Sequence, residues 1–242
     1  MEAENKMQLK KITTVCTGNS GRSPVLEVIA KNRLIELGEQ NNFTVDSAGT
    51  LVDTINSGEY SMDGMKKFID RAINRGDIYT PSQEKVLQSL VSQYDESQDP
   101  KVLGQIQKMF ARTVEAFHSE ELSNRALAIK EYGLPNDHLL KEGHEQFHPR
   151  GPAAGQVAVL TVDVRNKGVV NGIYEEQGVP KPPIIEVVTQ LPGNPGYGNS
   201  DAQVADAFGL PRDAYMNAFE QLLKQGPVAI DHILKDPYGS KK

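Results

Sequence analysis

Apolar residues along this chain follow two rhythms. The run at residues 12–15 is too short for a helix and reads as a buried strand leading straight into Cys16. Beyond Pro24, Val25, Leu26, Val28, Ile29, Leu34 and Leu37 recur at helical spacing. The proline suits a first helical turn, and Gly38 can end the helix. Residues 43–47 predict a second short strand, closed by Ser-Ala-Gly-Thr at 47–50, so the chain opens with a βαβ unit.

The texture then changes to one polar helix after another. Met62, Met65, Ile69 and Ala72 form an apolar stripe that Gly76 closes. Thr80, Pro81 and Gln83 predict a capping box before Val86, Leu87, Leu90 and Val91, and Asp99 with Pro100 opens a helix carrying Leu103, Ile106, Phe110, Val114 and Phe117. Alternation resumes with a helix over residues 125–133, a loop rich in proline and glycine, and the run Val-Ala-Val-Leu-Thr-Val-Asp-Val from Val157 as the strongest strand signal. A further strand is expected at 184–188, then one or two terminal helices interrupted at Gly226 and Pro227. The pattern predicts a single α/β domain over 1–242, a four-stranded parallel sheet flanked by helices in a Rossmann-like three-layer arrangement, with an all-helical insertion at 52–122. In such sheets ligands bind beyond the carboxyl ends of the strands, where the Cys16 loop falls.

Composition narrows the function classes. At 242 residues the chain can bury a substantial core, and a net charge of −6 supplies no global basic field, so no nucleic-acid partner is expected. One cysteine excludes an internal disulfide framework, and no apolar run suits a membrane span or a secretory leader. A soluble protein of the reducing cytoplasm, with no membrane partner, is the expectation.

Between Cys16 and Arg22 lie Thr17, Gly18, Asn19, Ser20 and Gly21, small or turn-tolerant residues that let successive N–H groups curl around a tetrahedral anion. The nest leads into a helix N-terminus, whose partial positive charge favours an anion, and Arg22 adds a planar clamp for two phosphoryl oxygens. The same field favours the thiolate of Cys16, and Ser23 is placed to donate to the sulfur. The Gly-Lys-Ser/Thr ending of a nucleotide phosphate loop is missing.

The stretch Val-Cys-Thr-Gly-Asn-Ser-Gly-Arg-Ser-Pro from Val15 resembles the signature loop of the low-molecular-weight protein tyrosine phosphatases and their arsenate-reductase relatives, and Ser-Ala-Gly-Thr at 47–50 resembles their second segment. The resemblance covers about residues 9–50 and, more weakly, 125–234, leaving the helical insertion without a counterpart. It implies that Cys16 attacks phosphorus, that Arg22 binds the phosphoryl oxygens, that Asn19 holds the loop, and that no metal or cofactor is needed. A phosphorylated protein or a small phosphate ester would be the substrate.

Ester hydrolysis also needs a proton for the leaving oxygen. The family draws it from an aspartate before the final helix, and Asp206, followed by Phe208, Gly209 and a helix carrying Tyr215, Phe219 and Leu222, matches that order ahead of Asp201 or Asp213. Ala207 stands where the family has proline, loosening that loop. Asp236, in Asp-Pro-Tyr-Gly near the chain end, is the runner-up.

Phosphotyrosine enzymes of the family place a branched apolar residue at the Ser20 position and wall the pocket with aromatics. Here only Phe208 reads as a wall, and the protein-arginine phosphatases carry threonine where Ser20 stands, so phosphoarginine or a small ester is an alternative. Gly21 replaces the family's second loop cysteine, which argues against a disulfide-relay arsenate reductase. A phosphate-binding module without turnover is a second class. His144 to His148 also fit the HExxH zinc pattern, but flanking Gly143 and Pro149 deny it a helix.

Overall fold

A computed structural model describes residues 8–134 and 145–238. Strand β1 (Lys10–Cys16) lies between β2 (Phe43–Gly49) and β3 (Gln156–Thr161), and β4 (Ile184–Val187) extends the sheet beyond β3. All three pairings are parallel, which gives the order β2-β1-β3-β4. This is the expected four-stranded α/β sheet.

Helix α1 (Arg22–Glu36) connects β1 to β2 and packs with α7 (Arg212–Lys235) on one face, where Ile12, Leu26, Ile29, Leu160, Phe219 and Ile230 share a core. Arg33 of α1 reaches Asp231 of α7 through Nε and Nη2, both at 2.8 Å. On the other face Val15, Val159, Val170 and Tyr174 form a smaller cluster beneath α6 (Val164–Gln177). The pleat sends Ile12 and Val15 to opposite faces, and this makes the three layers.

Among the described residues four α-helices lie between β2 and β3: α2 (Val52–Ser57), α3 (Met62–Arg75), α4 (Pro81–Ser97) and α5 (Pro100–Glu131). Ser61 caps α3, Thr80 and Gln83 complete the capping box of α4, and Asp99 caps α5. Met65, Ile69, Leu87, Ile106, Phe110 and Phe117 give these helices a core of their own.

The structure departs from the sequence reading in four places. The helix expected over 125–133 is the continuation of α5, because no glycine or proline interrupts residues 105–131. Helix α2 was not expected. Nor was α6, whose start is masked by the apolar run before it but is capped by Asp163, with Oδ1 accepting from Asn166 N at 2.7 Å. Finally, α7 runs through Gly226 and Pro227, where a β-carbon on Gly226 would meet Ile29 Cγ2 at 2.9 Å, so the glycine lets α7 press against α1. Among the described residues no helix is long and apolar enough to cross a membrane.

Candidate active site

The carboxyl end of β1 delivers Cys16, 4% exposed, to the base of a loop formed by residues 17–21. Asn19 adopts φ 53°, a left-handed conformation that asparagine tolerates better than most residues. Ser23 is fully buried, with Oγ 2.9 Å from both Cys16 Sγ and Asn19 Oδ1, while Asn19 Nδ2 donates to Ser47 O at 3.4 Å. Its single hydroxyl proton is thus shared between the sulfur and the loop. The first turn of α1 starts at Gly21 without a side-chain cap or acidic residue, leaving its N–H end to whatever the loop holds.

The second segment braces this loop. Thr50 N donates to Cys16 O and Leu51 N to Thr17 O, each at 3.0 Å. A β-carbon on Gly49 would come within 2.7 Å of Thr17 O and 2.9 Å of Asn19 N, so only glycine permits the approach. Thr50 Oγ1 donates at 2.9 Å to Asn166 Oδ1, while Asn166 Nδ2 donates at 2.7 Å to Asp163 Oδ2. Sequence reasoning missed Asp163 and Asn166, although the Asp-Val-Arg-Asn spacing is a helix-cap signal.

Arg22 is 8% exposed and points its guanidinium at Asp163 Oδ2 (3.2 Å), Val204 O (3.3 Å) and Asp206 Oδ1 (3.5 Å). Burial opposes its charge, but Asp206, Cys16 and Asp163 outweigh burial and raise its pKa. Asp206 in turn pairs with Lys67 Nζ at 3.1 Å and Arg71 Nη1 at 3.7 Å, both from α3. Burial disfavours its charge as well, yet Arg22, then Lys67 and Arg71, hold its carboxyl below the ordinary range. Arg71 also donates to Phe208 O, which ties the Asp206 loop to α3.

Cys16, Ser20, Arg22 and Asp206 open onto one cavity of about 280 Å³. Neither Asp201 nor Asp213 lines it. Asp236 follows α7 at the far end of the sheet: Tyr238 lies 5.3 Å from Lys10 Nζ, at the start of β1, about 20 Å of strand from Cys16. The segment between β2 and β3 supplies one side of the wall. Tyr60, Phe68 and Phe110 join Phe208, with Phe68 and Phe208 edge to face at 5.5 Å, so the expected single aromatic becomes four. His118 lines the cavity too.

Helix α5 adds Glu121, whose carboxylate accepts from the Ser20 hydroxyl. Its signal lay in the periodicity: Phe110, Phe117, Glu121, Arg125 and Ala128 share the buried row of the helix, and two charges on such a row ask for a partner.

His144, of the HExxH pattern, lies outside the described residues, as do His138 and Gly239. The rest of that pattern is extended: Gly49 N donates to Glu145 O and Phe147 N to Gly49 O, both at 2.8 Å, with Phe147 buried and His148 exposed. Among the described residues no group of three or more His, Cys, Asp or Glu could hold a metal ion.

A buried cysteine at a strand end, a seven-residue loop closing on an arginine and a helix N-terminus behind it define a cysteine-dependent phosphatase. Residues 11–66 match the family model of the low molecular weight phosphotyrosine protein phosphatases. No curated protein matches it in sequence. Similar solved structures include a YwlE mutant from Bacillus subtilis, 15% identical, covering 94% of this chain and 99% of that one at a TM-score of 0.48. A low molecular weight protein tyrosine phosphatase from T. tengcongensis is 17% identical, with 93% and 98% covered and a TM-score of 0.48. Wzb from Vibrio vulnificus, in complex with benzylphosphonate, is 13% identical, with 92% and 98% covered at 0.47.

Proposed function

We propose that the chain hydrolyses phosphate monoesters in the cytoplasm through a phospho-cysteine at Cys16, with phosphotyrosine in proteins as its substrate class. The observation that carries this reading is the cavity, which Cys16 lines together with Tyr60, Phe68, Phe110 and Phe208, a surface suited to an aryl phosphate.

The Cys16 thiolate attacks phosphorus as the P–O ester bond breaks, and Asp206 delivers its proton to the leaving oxygen. Water then attacks the phospho-cysteine, Asp206 takes a proton from it, and the thiolate departs with Ser23 donating to the sulfur. The Thr17 to Ser23 backbone and Arg22 hold the equatorial oxygens throughout. Against its burial, Arg22, with Lys67 and Arg71, favours the ionised form of Asp206. A bound phosphoryl dianion takes over that guanidinium and adds negative charge nearby, so Asp206 acquires its proton as substrate arrives.

The test is hydrolysis of p-nitrophenyl phosphate with chelator present. Cys16→Ser should abolish turnover, Asp206→Asn should lower kcat about a hundredfold or more, and Asp236→Asn should leave it unchanged. A folded native protein that binds phosphate without turnover would be a binding module instead. A second reading, phosphoarginine, draws on Ser20 and Glu121, a hydroxyl and a carboxylate at the cavity suited to a guanidinium leaving group. Phosphate release from phosphoarginine and phosphotyrosine peptides compared side by side decides between them.

A further inference from the structure

The reaction as proposed leaves Glu121 without a part. This carboxylate is 6% exposed, accepts from Ser20 Oγ through Oε2, and packs through Oε1 against Gly21 so closely that a β-carbon there would displace it. One turn later Arg125 donates from Nη1 to Ser20 O at 2.6 Å. Two successive turns of α5 thus fasten a carboxylate and a guanidinium to the middle of the loop, and the carboxylate lines the same cavity as Cys16.

A dianion drawn into that loop meets Glu121 at close range in a setting with little water. The repulsion is relieved when the carboxylate is protonated. The groups facing it are Ser20 and Arg22 from the loop, Arg125 from its own helix, Asp206 from the loop before α7, and the buried phenol of Tyr215 on α7. His118 lines the cavity from α5. Burial dominates this balance and pushes Glu121 up to about 7, against the pull of Ser20 and Arg22.

We propose that Glu121 is a positioning residue through which capture of an anion by the Cys16 loop is coupled to uptake of a proton, so that α5 sets the pH range in which phosphate is held. The proposal rests on the reading of residues 16–22 as the phosphoryl site.

Sulfate serves as the probe, because it is a tetrahedral dianion throughout the neutral range. Titration calorimetry on the full chain carrying Cys16→Ser and Asp206→Asn, the latter removing the other carboxylate that takes up a proton when a dianion binds, counts in buffers of different ionisation enthalpy the protons taken up. With Glu121 shifted by one further unit on binding, uptake at pH 7 is about 0.4 proton per sulfate, and affinity falls about fivefold from pH 6 to pH 8. Adding Glu121→Gln should remove both effects, and adding His118→Asn should remove neither. Ser20→Ala, which keeps Glu121 but deletes the donor that favours its charge, should move the uptake to higher pH, and it decides the matter if the Gln variant does not fold. Uptake that survives Glu121→Gln, or that disappears with His118→Asn, overturns the proposal, as does sulfate binding without uptake. No sulfate binding at any pH overturns the phosphoryl-site reading as well.

Discussion

Gly49→Ala adds one methyl group at the joint between β2 and the Cys16 loop. Its β-carbon would lie 2.6 Å from Val52 Cγ2, 2.7 Å from Thr17 O and 2.9 Å from Asn19 N. The valine methyl can rotate away, but the other two atoms are backbone. Restoring ordinary contact requires the loop to move by roughly 0.5–1 Å, and overpacking of this kind costs about 1–3 kcal/mol. In a chain of this size that lowers Tm by about 2–12 °C. A displacement near 1 Å of the groups that hold the reacting phosphoryl costs about a hundredfold in rate, so activity should fall much further than stability. The assay is kcat/KM for p-nitrophenyl phosphate beside a thermal melt, with Gly104→Ala as the contrast. At Gly104, inside α5, a β-carbon meets nothing within 4 Å, so that substitution should gain about 0.5–1 kcal/mol and leave turnover alone. A Gly49→Ala protein with native kcat/KM, or one whose loss merely equals its unfolded fraction at the assay temperature, would refute the argument.

Three further outcomes are expected. Glu121 has a folded pKa raised from 4.5 to about 7, so its neutral form supports the fold fully below about 4.5 and that support is lost as pH rises through 7. Glu121→Gln should therefore out-melt the native protein at pH 8 by about 3 kcal/mol, with the gap closing towards pH 5, and equal melts at both pH values would contradict this. Phe208→Ala, which removes one aromatic wall and its edge contacts to Phe68 and Phe117, should raise KM for an aryl phosphate several-fold while changing that for a small alkyl phosphate little. Asn19→Ala removes both the acceptor for Ser23 and the φ-tolerant residue of the loop, and should cost tenfold or more in kcat as measured by steady-state kinetics.

Local chemistry made part of this molecule readable. Strand, loop and helix around Cys16 carry their own stop and start signals, and Thr80 and Asp99 cap the helices that their spacing predicts. What escaped was decided by tertiary contact. Pro227 continues α7 because that helix is held against α1, and α6, with Gly168, Gly172 and β-branched residues, has weak intrinsic preference and relies on Val170 and Tyr174 against the sheet. The loop residues of the site were legible as a motif. Lys67, Arg71 and Glu121 were not, because they reach it from helices distant in sequence.

Helix α5 also bears on how the chain reaches its fold. Parallel pairing of Lys11 with Gln156 asks two distant segments to meet, and the entropy of closing that loop is spent before any contact rewards it. The intervening helices instead collapse on near neighbours, α3 and α4 each against α5, around Met65, Leu87 and Phe110. Once formed, the 32 residues of α5 make a rod about 48 Å long, one end in that cluster and the other carrying Ala128 in the core of the sheet. Within the described residues, a single stiff element, α5, thus spans much of the distance along the chain between β2 and β3.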